Sequence, residues 1–263
     1  MSQTTSTLLR EDMLRELNLH PLWQLRSSPM GVVSPTLTPT PIAMLPVAEV
    51  VAPTPLSAVS TVKVQEDINS LTWPQLAKRV QGCTACNLRA GCLQTVFGTG
   101  DKNADWLFVG SWPSEDDEAR GEPFAGQAGQ LLDNMLAAIQ LKRDANVFLA
   151  NVVKCSGSIV RGPQAEEIAQ CAPYLARQIQ LLQPKIIVAL GHAAATVLVG
   201  KDMPWDKLIN QVHAYTAYAE DTTQPAIPLI ITHHPAALLL TPLNKAQAWR
   251  DLCLARDTVR SMA

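Results

Sequence analysis

The chain has 263 residues, of which 47% are apolar and 5% aromatic, and its formal net charge is −2. This length and apolar content suffice for one sizeable folded domain with additional segments. From Leu71 onward the sequence holds 17 basic and 17 acidic residues, whereas proteins held on DNA mainly by phosphate contacts usually carry a basic excess. The composition therefore favours a protein partner and weak or no direct DNA binding.

The sequence contains no apolar run near the roughly 18 residues that a membrane span needs. Its N-terminus carries acidic residues and lacks the apolar core of a secretory signal. We therefore expect a cytoplasmic protein with no membrane association. In that compartment, the six cysteines are expected to be thiols or metal ligands rather than disulfides.

Residues 1–27 are expected to form a partner-binding peptide. Within them, residues 8–26 have the sequence LLREDMLRELNLHPLWQLR, with an apolar stripe at helical spacing. A helix of about three turns is marginal in water on its own, so we expect it to bind a partner; the alternative is that it packs on its own domain. The residues expected to contact the partner are Leu9, Met13, Leu14, Leu17, Trp23, Leu25 and Arg26.

Residues 28–66 are interpreted as an extended, disordered linker. They contain seven prolines, many Ser, Thr, Ala and Val residues, and only the charges of Glu49, Lys63 and Glu66. No helical or strand periodicity persists over this stretch. The alternative is one or two strands in the segments AEVVA and STVKV.

Residues 67–263 are expected to form one α/β domain. Strands are predicted at 106–110, 147–153, 185–191 and 228–232, and helices at 128–140, 164–183, 192–199 and 245–260. The strand segments are continuous apolar runs, typical of strands buried on both faces. Their alternation with helices predicts three α/β/α layers around a mostly parallel sheet. Ligands bind beyond the carboxyl ends of such strands, where Gly110, Asn151 and His234 fall.

Four cysteines are candidate metal ligands. Two form a C-x2-C pair before the first strand, one follows the second strand and one lies in the next helix; they are Cys83, Cys86, Cys155 and Cys171. Four thiolates at one point suit either zinc or an iron–sulfur cluster, and the spacing does not separate the two. The alternative is four unrelated buried thiols. Cys253 is expected in the core, and Cys92 is a spare or competing ligand.

From Cys83 to its end, the chain resembles the family 4, iron–sulfur uracil-DNA glycosylases. The resemblance rests on CTACNL, FGTG, GEPFAGQAGQLLDNML, NVVKC, PKIIVALG and THHPAALL, in the order of the family. It implies a three-layer glycosylase fold and a 4Fe-4S cluster on the four cysteines, with zinc as the alternative. It also implies that Phe124 stacks on uracil, Asn151 reads its edge and His234 stabilises negative charge on it.

The loop after the first strand departs from the pattern of that family. The family has G-E-x-P-G, whereas this chain has Gly110, Ser111, Trp112, Pro113 and Ser114. Serine lacks the carboxylate that positions or activates water, and the Trp112 ring is expected to extend toward the base pocket. The acidic residues 115–118 are interpreted as a solvated turn; the alternative is that one of them replaces the missing glutamate.

The segment MLRELNLHPLWQLR resembles the N-terminal peptide of the psi subunit of bacterial DNA polymerase III. Together with the proline-rich linker and the glycosylase-like domain, it resembles the long psi subunit of pseudomonads, which implies association with the replisome or nucleoid. This implies a non-catalytic adaptor that links the clamp-loader tau/gamma subunits to the chi subunit and, through it, to single-stranded-DNA-binding protein. No catalytic residues are then expected, and the pocket remnants are Gly110, Ser111, Trp112, Phe124, Asn151 and His234. The alternative is an active uracil-DNA glycosylase that hydrolyses the N-glycosidic bond in base-excision repair.

Overall fold

The computed structural model describes residues 68–156, 161–216 and 226–262. The predicted N-terminal peptide (1–27) and linker (28–66) lie outside the described residues. The expected binding of clamp-loader tau/gamma subunits by residues 8–26 therefore stays a prediction, as does the expected chi partner. Over the described ranges, no helix has the length and apolar character needed to cross a membrane.

One six-stranded sheet forms the centre of the described residues. Its strands are β1 (Thr99–Gly100), β2 (Trp106–Gly110), β3 (Val147–Asn151), β4 (Ile186–Leu190), β5 (Val212–Tyr215) and β6 (Ile227–Thr232). Their order is β1-β3-β2-β4-β6-β5. The four inner strands are parallel, and β1 and β5 pair antiparallel at the edges. The four predicted strands are confirmed, whereas the two short edge strands were not predicted.

Helices cover both faces of this sheet. They are α1 (Trp73–Gln81), α2 (Glu115–Arg120), α3 (Gln127–Ala138), α4 (Ala165–Leu182), α5 (His192–Val199), α6 (Pro235–Leu240) and α7 (Lys245–Arg260). The predicted helices correspond to α3, α4, α5 and α7. Helices α1, α2 and α6, which have nine, six and six residues, were not predicted.

Alternate residues of the buried strands pack into two separate cores. Leu107 and Val109 of β2 belong to a core that also includes residues of α1, α4 and α5. Trp106 and Phe108 belong to a second core, with residues of α3 and α7. Because successive strand side chains point to opposite faces, the sheet has a helical layer on each side. The predicted three-layer α/β/α architecture is confirmed.

The parallel pairing brings several polar strand ends to one edge of the sheet. Gly110 at the end of β2 is in register with Asn151 at the end of β3. On the next pair, Leu190 of β4 is in register with Thr232 of β6, and His233 and His234 follow directly. This edge is where ligands bind in parallel α/β sheets.

Candidate active site and cysteine pocket

Gly110 lies between the side chains of Asn151 and Phe124. A Cβ atom built at Gly110 would overlap Oδ1 of Asn151 and would lie 2.7 Å from Cζ of Phe124. Any larger residue at this position would displace one of the two side chains. Glycine at the end of β2 therefore permits the close approach of the predicted base-stacking ring and the predicted base-reading amide.

Asn151 carries a buried polar atom with no protein partner. The residue is 2% exposed, and among the described residues its Nδ2 has no hydrogen-bond acceptor. Leaving a buried donor unpaired costs about 1–3 kcal/mol. Such a group is typical of a binding site, because a ligand carbonyl can accept the missing hydrogen bond.

Phe124 is held in a strained backbone conformation. Its φ is 57°, in the left-handed region that bulky residues rarely adopt. Arg143 donates from Nη1 to the carbonyl oxygen of Pro123 and from Nη2 to that of Phe124, both at 3.1 Å. Strain of this kind persists only where surrounding contacts enforce it, and it concentrates at functional sites.

Two further residues enforce the position of Phe124. The Oδ1 atom of Asp117 accepts a hydrogen bond from the backbone nitrogen of Ala125 at 2.8 Å. Gly129, in the first turn of α3, approaches so closely that a Cβ there would overlap the carbonyl oxygen of Phe124. The Phe124 peptide is thus fixed by Asp117, Arg143 and Gly129, none of which was identified from the sequence.

The interpretation of residues 115–118 as a solvated turn is wrong for two of the four acids. Asp117 and Glu118 are buried in α2. Asp117 also accepts from the backbone nitrogen of Ser114 at 3.1 Å, and the S-x-x-D capping-box pattern could have revealed that role. Glu118 accepts from the backbone nitrogens of Leu93 and Ser156 at 3.0 and 2.6 Å. Both carboxylates therefore anchor loops.

His234 faces Phe124 from the end of β6. The two ring centroids are 5.7 Å apart. Desolvation lowers the pKa of His234 from its ordinary value, and the Asp117 carboxylate partly opposes that shift. Nδ1 accepts a hydrogen bond from the backbone nitrogen of Ala236 at 3.2 Å, which assigns the proton of the neutral ring to Nε2. His234 is thus a neutral donor beside the Phe124 ring.

Trp112 lies at the rim of this site. It is 39% exposed, and a Cβ built at Gly162 would lie 3.2 Å from Cη2 of its ring. Within the described residues, its ring is not paired with that of Phe124 or His234. The end of the indole therefore extends toward Gly162. The carbonyl oxygen of Ser111 accepts a hydrogen bond from the backbone nitrogen of Val153 at 3.0 Å.

The four candidate metal ligands line a single pocket on the opposite side of the sheet from the α3 core. Cys83, Cys86, Cys155 and Cys171 share it with Tyr174, Lys154 and Arg89, among others. The Tyr174 hydroxyl donates to Sγ of Cys83 at 3.4 Å, and the backbone nitrogen of Lys154 donates to Sγ of Cys171 at 3.3 Å. The structure thus brings together the four cysteines that the sequence singled out.

In the absence of a cation, two of these thiols hold their protons. Burial raises the pKa of Cys171 to about 11, and it also raises the pKa of Cys155. Metal binding would have to displace these protons. Across the described ranges, no three His, Cys, Asp or Glu residues are arranged to hold one metal ion.

The remaining cysteines lie outside the pocket lining. Cys92 is buried, packs in the same core as the four ligands and donates from Sγ to the carbonyl oxygen of Gln94 at 3.1 Å. Cys253 is half-buried on α7. Lys154, which follows β3 in the segment NVVKC, is a buried pocket residue that the sequence analysis missed. The position of a lysine in an apolar run could have identified it.

Comparison with known proteins assigns residues 97–254 to the Uracil DNA glycosylase superfamily. The Type-4 uracil-DNA glycosylase of Archaeoglobus fulgidus is 35% identical over 167 residues, which are 64% of this chain and 83% of that protein. The enzymes of the same name from Sulfurisphaera tokodaii and Pyrobaculum aerophilum are 37% and 33% identical. Those matches cover 64% and 68% of this chain and 76% and 91% of the two relatives.

These matches contradict the expected non-catalytic adaptor and the inference that the chain is not an enzyme. The relatives are named as enzymes, and none of these matches indicates a clamp-loader subunit. The expected lack of catalysis rested in part on the departures from the family pattern at Ser111 and Trp112. Those substitutions leave Phe124, Asn151 and His234 together at one sheet edge. The chain belongs to the uracil DNA glycosylase superfamily.

Proposed function

We propose that this chain is a uracil-DNA glycosylase that hydrolyses the N-glycosidic bond between uracil and deoxyribose, a step of DNA repair. The names of its relatives support the substrate and the reaction. The single observation that carries the proposal is the unpaired Nδ2 of Asn151, buried beside Gly110 and the Phe124 ring. That donor offers a hydrogen bond to a carbonyl of a flat base.

The proposed site binds a base that has been turned out of the DNA stack. The ring of Phe124 stacks on the face of uracil, and Nδ2 of Asn151 donates to a carbonyl on its edge. As the glycosidic bond breaks, negative charge develops on the uracil oxygens. The Nε2–H group of neutral His234 stabilises that charge. Removal of a donor of this kind typically lowers the rate by about 10²–10³.

The proposed reaction depends mainly on stabilisation of the leaving base. Ser111 stands where the resembled family has glutamate, so no carboxylate from this position orients the attacking water. Asp117 does not replace it, because both of its oxygens accept backbone hydrogen bonds. A Ser111→Glu variant should therefore accelerate excision, within the roughly 10²–10⁴ range of a positioned base.

We also propose that Cys83, Cys86, Cys155 and Cys171 hold a 4Fe-4S cluster. The four cysteines share one pocket. The choice of the cluster over zinc rests on the resemblance to the iron–sulfur uracil-DNA glycosylases. When bound, the cluster would supply four metal–thiolate bonds that tie together separate chain segments.

Product analysis tests the proposed activity. Oligonucleotides with one uracil, single-stranded or paired with guanine or adenine, would be incubated with the full chain. We expect free uracil by chromatography and an alkali-sensitive abasic site at the uracil position. The matched oligonucleotides with thymine should remain intact. Intact uracil strands with all three substrates would reject the proposed function.

A further inference from the structure

Lys154 is a buried cation that the proposed base chemistry does not use. It is 1% exposed, and its Nζ donates to the carbonyl oxygen of Asn151 and to Oε1 of Gln178, both at 2.7 Å. Gln178 is itself fixed, because its Nε2 donates to the carbonyl oxygen of Phe97 at 2.8 Å. The side chain is therefore held in one position by two neutral acceptors.

The described residues provide no carboxylate to balance this charge. Their ion pairs do not include Lys154. Two hydrogen bonds to neutral oxygens use two of the three N–H donors of the ammonium group and do not replace a counter-ion in a low-dielectric interior.

Thiolates in the cysteine pocket would supply the negative charge that balances Lys154. Lys154 lines that pocket, and its backbone nitrogen already donates to Sγ of Cys171. Four thiolates bring four negative charges, which an iron–sulfur core balances only in part. Net charge and hydrogen bonding are among the factors that set the reduction potential of such a cluster.

The charged end of Lys154 contacts the backbone of the residue that carries the proposed base-reading amide. The carbonyl oxygen that accepts from Nζ belongs to Asn151, whose side-chain Nδ2 is the unpaired donor of the proposed uracil site. One lysine thus joins the end of β3 to the metal pocket. Loss of its charge or of its hydrogen bond should therefore affect both the cysteine pocket and the position of Asn151.

We propose that Lys154 is the buried counter-ion of the iron–sulfur cluster and holds the strand end that presents Asn151 to the base. This inference rests on the proposed function and its cluster. Removal of the positive charge makes addition of an electron to the cluster less favourable, so the potential becomes more negative. It also frees the Asn151 carbonyl, so base binding weakens while the reacting groups remain in place.

The test compares four full-length chains: unaltered, Lys154→Met, Gln178→Glu and Lys185→Met. Lys154→Met removes the charge at similar length, and Gln178→Glu adds a negative charge beside Lys154. Lys185→Met is the matched control, because Lys185 is an exposed lysine that pairs with Asp105. The readouts are iron per chain, the midpoint potential by protein-film voltammetry, the rate at which a chelator bleaches the cluster, and kcat and KM for uracil release.

We expect a more negative potential and faster bleaching in Lys154→Met and Gln178→Glu, with no change in Lys185→Met. KM should rise in Lys154→Met more than kcat falls. If Lys154→Met assembles no cluster, the shift in Gln178→Glu decides. Equal potentials and bleaching rates in all four chains would overturn the inference, as would an unaltered chain without iron. Uracil release by the unaltered chain tests the proposed function separately, since a potential shift without excision would leave only the counter-ion role standing.

Discussion

Hydrogen bonds within the protein hold the groups of the base pocket in place. The cysteine pocket instead brings together side chains from separate chain segments. Phe124 is fixed by Arg143 and by Asp117 acting on the next peptide. The cysteines come from the segment before β1, the loop after β3 and helix α4. Two of them are thiols whose pKa is raised by burial.

The two pockets therefore differ in what keeps their side chains in position. The base pocket should keep its shape without any bound group, because backbone hydrogen bonds and close packing impose it. The cysteine pocket should depend on its metal, because ligand binding at sites assembled from distant segments contributes directly to folding. Variants on each side should therefore fail in different ways.

The largest expected effect is on the leaving base. His234→Ala removes the neutral Nε2–H donor beside the Phe124 ring, and loss of one such donor costs about 10²–10³ in rate. Single-turnover uracil release should fall by that factor, while iron content stays unchanged. His192→Ala, on the exposed start of α5, is the control and should retain the full rate. Similar losses in both variants would contradict the assignment of His234.

The second effect concerns the metal. Cys171→Ser should lose the cluster and unfold at lower denaturant concentration, because three chain segments are no longer tied together. Iron analysis and urea unfolding measure this directly. Cys253→Ser, and also Cys92→Ser, should keep about four irons per chain by the family resemblance. Full iron content in the Cys171 variant would remove this residue from the ligand set.

A smaller effect is expected from Gly129→Ala. The added methyl group would overlap the carbonyl oxygen of Phe124, and forcing an extra methyl into such a contact costs about 1–3 kcal/mol. The free energy of unfolding should fall by that amount and KM should rise, with no loss of iron. Gly91→Ala is a suitable comparison, because a Cβ there meets no atom within 4 Å. Equal stability of the two variants would argue against the close packing around Phe124.

The smallest expected effect is a pH dependence. Desolvation lowers the pKa of His234 below its ordinary value of 6.5, so the folded state binds the proton less readily than the unfolded chain. Its contribution to stability is complete above 6.5 and is lost as pH falls from 6.5 through the folded-state pKa. The unfolding free energy should therefore drop less between pH 7 and about 5.5 in His234→Ala than in the unaltered chain. Equal losses of unfolding free energy in the two chains would exclude a lowered pKa for His234.

The inner sheet could be predicted from the sequence because its strands are buried on both faces and are continuous apolar runs. The edge strands could not, since β1 has two residues and β5 leaves Val212 and Ala214 exposed. The strand-end position of Asn151 followed from the parallel sheet. The convergence of the four cysteines was also predicted, and the structure places them around one pocket.

The supporting shell of the site was not accessible from the sequence. Asp117 belongs to a run of four acids, and its S-x-x-D pattern indicates a helix cap but not the second hydrogen bond that holds the Ala125 peptide. Arg143 is one of two adjacent basic residues in a loop, 19 positions from the peptide it holds. The predicted non-catalytic role was wrong for a similar reason, because the sequence does not show that the Trp112 ring extends toward Gly162.

The central claim is that the pocket around Asn151 is a working uracil site. Single-turnover release of uracil from a single-stranded oligonucleotide, measured for the unaltered chain and for Asn151→Ala, tests it most directly. We predict measurable release by the unaltered chain and a loss of about 10²–10³ in the variant, as for removal of one preorganised donor. No release by an iron-loaded unaltered chain, or equal rates for the two chains, would contradict the account.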